Sequence, residues 1–234
     1  MTEFNEASNT VRRVSTRRVV LFDFDGVIVR GDAFTKFVRE RYARTWWRIV
    51  VVLPLLPVVV VLASTPAGRR WLLRAAVTWA FVGVGMQRYR ALAHAFGRAL
   101  ARDAHNNIIG AACTALKRHR LDGDRVVVVT GCEETLARAI LDELGFDDIE
   151  LVASRFAEGR FGLRVAVHNI RFEKAHQLAL RGIRPPWDVV YSDSLRDLPI
   201  LAAARSAVLV NPDRLTLARV SARLGRRLSV VEWS

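Results

Sequence analysis

The sequence predicts an α/β fold: a doubly wound, Rossmann-like parallel sheet with a mainly helical, partly hydrophobic cap inserted after its first strand. Short apolar runs rich in β-branched residues recur at 18–24, 125–130, 188–192 and 207–211. They are apolar throughout rather than alternating, as strands covered on both faces are. Amphipathic helical patterns lie between them, at 136–144, closed by Gly145, and at 174–180, ahead of Gly182 and Pro185. A long, mainly helical stretch over 32–105 interrupts this alternation.

In chain order, residues 1–31 supply the first strand and the Asp25-Gly26 turn that ends it. Residues 32–105 form the cap beside the carboxyl edge of the sheet, and 106–234 complete the α/β core. Within that second part, 156–167, with Glu158-Gly159-Arg160 at its centre, reads as a small antiparallel ribbon.

Composition narrows the function classes. The 234 residues are 51% hydrophobic and 25% charged, enough for a real core and too apolar for disorder. The two cysteines, Cys113 and Cys132, are far apart in sequence, which supports neither a disulfide framework nor a zinc site. Residues 1–18 are polar and basic without an apolar stretch, unlike a secretory signal.

The net charge of +13 suggests a polyanionic partner, and its location matters. Between Arg30 and Asp103 stand 13 basic and 3 acidic residues, so +10 of the excess is regional. The same region holds 49–68, 20 residues without a charge. A nucleic acid is not expected, because such patches interleave bases with polar and aromatic residues. Basic residues around a greasy segment point instead to an anionic membrane surface. Pro54 and Pro57 would break a spanning helix, and a hairpin would put Arg69 and Arg70 at its far tip. Segment 49–85 therefore reads as re-entrant or in-plane, anchored by Trp46, Trp47, Trp71 and Trp79 at the cytoplasmic face. A buried hairpin of the cap or an oligomer interface is the plainer alternative.

Doubly wound sheets bind ligands outside the carboxyl ends of their strands. The first run ends in Asp23-Phe24-Asp25-Gly26, and a period of two puts Asp23 and Asp25 on one side. The second ends in Thr130-Gly131-Cys132, a hydroxyl and amides at a helix start, suited to a phosphate. A later run ends in Ser192-Asp193-Ser194-Leu195-Arg196-Asp197, and Lys174 heads the helix before it. Four carboxylates at one edge repel one another unless a cation joins them, and Mg²⁺ held by oxygen ligands meets that need. One carboxylate could then attack phosphorus while its neighbour carries a proton.

Asp23-Phe-Asp25-Gly-Val, Val129-Thr130-Gly131, Glu173-Lys174 and Ser192-Asp193-Ser194-x-x-Asp197-Leu-Pro resemble, in order, the four motifs of the haloacid dehalogenase superfamily of phosphatases. Asn211-Pro212-Asp213 is similar to its phosphoserine-phosphatase-like branch. The resemblance implies that Asp23 becomes phosphoaspartyl and that Asp25 is the general acid/base. Thr130, Gly131 and Lys174 would hold the phosphoryl group. Asp193, Asp23 and the Asp25 carbonyl would ligate Mg²⁺, with Asp197 supporting the metal site. Ser192 and Val27 depart from the usual Gly and Thr, and neither is expected to touch a catalytic side chain. Asp32 stands where the phosphoserine phosphatases carry a substrate-contacting Glu, which makes it a substrate-binding candidate.

Asp32-Ala-Phe34 followed by Leu53-Pro-Leu-Leu-Pro57 resembles the phosphatidylglycerophosphatase C family. A lipid phosphomonoester is the implied substrate; the alternatives are a soluble phosphoserine-like ester and a noncatalytic membrane adaptor. Simpler readings accompany these: Asp197 as a helix cap, the five histidines as surface or cap residues, and Cys132 as a thiol with no partner base.

Overall fold

The computed structural model describes residues 17–160 and 162–233. The stretch expected to be no secretory signal lies, through Thr16, outside the described residues. In chain order the elements are β1 (Val19–Phe22), α1 (Ala33–Arg44), α2 (Trp47–Val52), α3 (Leu56–Ala63), α4 (Pro66–Ala80), α5 (Met86–Arg102), α6 (Ala104–Asn107) and α7 (Gly110–Leu121). There follow β2 (Arg125–Glu133), α8 (Glu134–Glu143), β3 (Glu150–Gly159), β4 (Gly162–Val167), α9 (Phe172–Leu180), β5 (Trp187–Ser192), α10 (Leu198–Ala202), β6 (Ala204–Val210), α11 (Arg214–Leu224) and β7 (Leu228–Val231).

The strands form one sheet in the order β4-β3-β2-β1-β5-β6-β7, parallel except for β4. The apolar runs become its centre because both faces are covered. Val20, Phe22, Val126 and Val128 join one core with Leu116 of α7 and Leu136 and Ile140 of α8. Leu21, Val127 and Val129 point into the other, with Leu178 of α9, Leu201 of α10 and Val220 of α11. Strand order reverses at β1, between β2 and β5, which opens a crevice at their carboxyl ends.

The ribbon at 156–167 forms, but its first strand starts earlier than the sequence suggested. β3 first runs parallel to β2 at Glu150–Val152 and then continues antiparallel to β4. β7 was also unanticipated: a four-residue edge strand, half-buried at Leu228 and Val231 and exposed between them, that offers no long apolar run to read.

The insertion is helical from Ala33 to Asn107, and the chain rejoins the core where Val29 bridges Ile108. Its parts differ in character. α5 lies against α8, where a side chain on Gly97 would come within 2.9 Å of the Ala139 methyl, so this half of the insertion is a layer of the core. α2 and α3 bury almost nothing: Val58, Val60 and Val61 are more than half exposed. Arg48 ties this apolar rod to the cap. It is buried, stacks beside the Trp47 and Trp79 rings, and donates to the carbonyls of Trp79 and Val82.

Candidate active site

β1 ends one residue before Asp23, whose amide donates to the Tyr191 carbonyl of β5 at 2.9 Å, holding the carboxylate at the mouth of the crevice. Gly26 then turns the chain with φ of +75°, and a Cβ there would lie 1.9 Å from Asp193 Oδ2. A glycine is required because the Asp193 carboxylate occupies the space a side chain would fill. Lys174, on the first turn of α9, is buried with Nζ 2.9 Å from Asp23 Oδ1 and 2.7 Å from Asp197 Oδ2. Asp25 turns toward the cap, accepting from the Ala33 amide at 2.8 Å and lying 3.5 Å from Thr130 Oγ1. The cleft that Asp23, Asp25, Gly26, Lys174, Asp193 and Asp197 share measures about 390 Å³, and its walls also include Asp32, Gly131, Cys132, His168 and Arg196.

The electrostatics express a surplus of acid. Burial, then repulsion from Asp197, hold the Asp23 carboxyl well above its ordinary range, against the pull of Lys174. Burial lifts Asp25 to about 7, opposed by the Ala33 amide and reinforced by Asp32. Burial and Asp197 lift Asp193 to about 6. Burial alone would lower Lys174, but Asp23 and Asp197 outweigh it and the ammonium is held more firmly charged than usual.

Asp23, Asp25, Lys174, Asp193 and Asp197 thus converge as the sequence suggested. Other placements are more specific than expected. Asp197 does not cap α10 with its side chain; Oδ2 accepts from Lys174 and from Ser192 Oγ at 2.8 Å. The Ser192 departure is therefore not silent, since this hydroxyl holds Asp197. Thr130 is fully buried and outside the cleft wall, its hydroxyl accepting from the Cys132 amide, while Gly131 reaches the wall itself. Asp32 lines the cleft but also caps α1 through Thr35. Cys132 is buried, and burial followed by the nearby Asp25 pushes its thiol well up, the opposite of an activated nucleophile.

A model of the haloacid dehalogenase-like hydrolases matches residues 20–202, most of the chain and all of the converging side chains. The chain belongs to the haloacid dehalogenase-like hydrolases. Among solved structures, a protein of unknown function from Bordetella pertussis Tohama I aligns over 93% of this chain and 99% of its own, at 19% identity and a TM-score of 0.69. A phosphoserine phosphohydrolase-like protein from Francisella tularensis aligns over 91% and 94%, at 8% identity and a TM-score of 0.57. A phosphoserine phosphatase captured as its phospho-aspartyl intermediate analogue aligns over 92% of each chain, at 15% identity and a TM-score of 0.54. At these identities the likeness is one of fold.

Mg²⁺ is the cofactor implied for this hydrolase, and the donor set fits it: several carboxylate oxygens, one buried ammonium, and acids whose ionisation is costly without a further cation. Another acidic group, His119, Asp122 and Asp124, lies within ligand distance at the amino end of β2, the opposite edge from the cleft. His119 is there because it packs: Nδ1 meets Asp124 at 2.7 Å and Nε2 meets the Tyr191 hydroxyl at 3.1 Å. It is neither a surface nor a cap histidine.

Several supporting residues carried no motif in the sequence. Asn169 donates to the carbonyls of Thr130 and Val152, and Ser154 donates to the Gly131 carbonyl, so the two clamp the carboxyl end of β2. Glu133 caps α8 and accepts from the Tyr89 hydroxyl of α5 at 2.7 Å, joining insertion to core beside the cleft. The pair is separated by 44 residues, and only the strand end at Thr130-Gly131-Cys132 with a helix following it was visible beforehand.

Proposed function

We propose that this hydrolase is a Mg²⁺-dependent phosphomonoester phosphatase that works through a phosphoaspartate on Asp23 and acts on a lipid phosphate, such as phosphatidylglycerophosphate, at the cytoplasmic face of a membrane. The observation that carries the chemistry is the buried Asp23–Lys174–Asp197 chain beside Asp193 and Asp25. Asp23 attacks phosphorus, forming the acyl phosphate as the ester bond breaks, and the Asp25 carboxyl gives its proton to the departing alkoxide. The resulting Asp25 carboxylate then takes a proton from the water that attacks the phosphoaspartate, which releases phosphate and restores Asp23. Lys174 offsets charge on the transferring group, and Gly131 near the end of β2 borders it. Asp193, Asp23 and the Asp25 carbonyl would hold Mg²⁺, which neutralises phosphoryl oxygens when bound. Asp197 positions Lys174.

The exposed α2–α3 rod favours the membrane part of this reading. Among the described residues no single helix is long and apolar enough to cross a bilayer; α1 and the helical stretch Trp47–Ala63 meet that test only as a pair bent by 91°. That second stretch would extend only about 25 Å at helical rise, short of a hydrocarbon core of roughly 30 Å. An in-plane or re-entrant placement fits better, with Trp46 and Trp71 exposed as interfacial anchors.

Turnover of an aryl phosphate by purified protein with Mg²⁺, abolished by EDTA, tests the chemistry; activity indifferent to chelation would contradict it. Flotation with anionic liposomes tests the membrane part. Protein that stays at the bottom of the gradient while turning over soluble esters would favour a soluble, phosphoserine-like substrate instead.

A further inference from the structure

A second cavity, of about 610 Å³, adjoins the carboxylate cleft, and the two share Phe34, Gly131 and His168 as common wall. Its volume suits the organic part of a small ligand. α4 forms one side through Val77, together with Phe81 just past its end, and the ribbon forms the other through Phe156, Leu163 and Val165. The Phe34 and Phe156 rings meet edge to face at 5.7 Å at the junction.

The polar members of this wall do not make it a charged site. Glu133 has both oxygens engaged, by the Tyr89 hydroxyl, by Thr135 and by the Leu136 amide. Arg74 and Arg164 are exposed, so their stems can lie along the apolar surface with their heads in water. The open rim is apolar on both sides, with Leu73 and Val165 each about half exposed or more. Leu73 shares α4 with Trp71, next to the uncovered α3.

We propose that this chamber receives the apolar chain of the substrate alcohol, with the phosphoryl end in the carboxylate cleft and the chain passing His168 between α4 and the ribbon. This rests on the phosphatase reading above and narrows its substrates to phosphomonoesters of long-chain amphiphiles. Two features of the fold argue for that occupant: the chamber continues directly from the reacting carboxylates, and its outer rim continues into the helix beside the exposed rod. A small polar alcohol would leave it filled with water against apolar walls.

The test is a series of straight-chain alkyl phosphates, butyl to dodecyl, each kept below its micelle-forming concentration so that surface binding plays no part. For the unaltered chain with Mg²⁺, kcat/KM should rise about two- to fourfold per added methylene until the chamber is full. Thr78→Trp narrows the chamber from α4 and Val165→Trp from the ribbon, both at exposed positions. In each variant, with fold checked by circular dichroism and melting, the dodecyl-to-butyl ratio should fall by about tenfold or more. A flat chain-length series, or a rise that survives in both variants, would overturn the chamber while leaving the phosphatase chemistry standing. Absence of turnover for every ester would instead remove the reading on which the chamber rests.

Discussion

Lys174 Nζ lies 2.7 Å from Asp197 Oδ2, and neither side chain is more than 4% exposed. The same ammonium reaches Asp23 at 2.9 Å, so one buried cation serves two buried acids. Lys174→Met should leave those acids facing each other without a partner and cost about 3–5 kcal/mol of stability. Chemical denaturation would register that loss, together with disappearance of phosphate release.

Ser192 holds the far end of this chain. Ser192→Ala removes a hydroxyl donor to a buried carboxylate, worth about 1.5–3 kcal/mol for a bond to a charged group. The expected outcome is a drop in kcat of about tenfold with the fold retained, because Asp197 then holds Lys174 less firmly. Unaltered kcat would show that Lys174 needs no such support.

Tyr89 and Glu133 give a pH-dependent prediction away from the reacting groups. Burial raises the Glu133 carboxyl pKa, while Tyr89, Thr135 and the α8 amides draw it back down. Tyr89→Phe removes one of those donors and should cost about 1–3 kcal/mol. A group whose folded pKa is raised favours folding most at low pH and loses that advantage as pH climbs through the folded value. The deficit of the variant should therefore be largest at pH above the folded value of this carboxyl and shrink on acidification, as melting curves across pH would record.

Val58, Val60 and Val61 cover no core, so replacing all three by Ser should barely move the melting temperature. The same triple change should abolish flotation with anionic liposomes and leave soluble aryl phosphate turnover intact. Unchanged flotation would detach the α2–α3 rod from the membrane.

The parts of this molecule visible beforehand are those that local chemistry dictates. Uniformly apolar runs such as Val126–Val129 marked strands covered on both faces, and the acids at strand ends marked the crevice. What stayed hidden depends on partners distant in sequence. Nothing local says that α5 packs on α8 or that Asn169 clamps Thr130 across 39 residues; Ser192 meets Asp197 over a short span, but only because the turn after β5 folds back. β7 escaped notice because an edge strand needs no continuous apolar run, and His119 because its burial is set by Tyr191, 72 residues away.

The most direct test of the account is mass spectrometry of protein quenched in acid during turnover with Mg²⁺, followed by proteolysis and location of the added phosphoryl group. One phosphorylated side chain, Asp23, is expected, and no adduct in Asp23→Asn. Phosphate release without any phosphoenzyme, or an adduct carried by another residue, would contradict it.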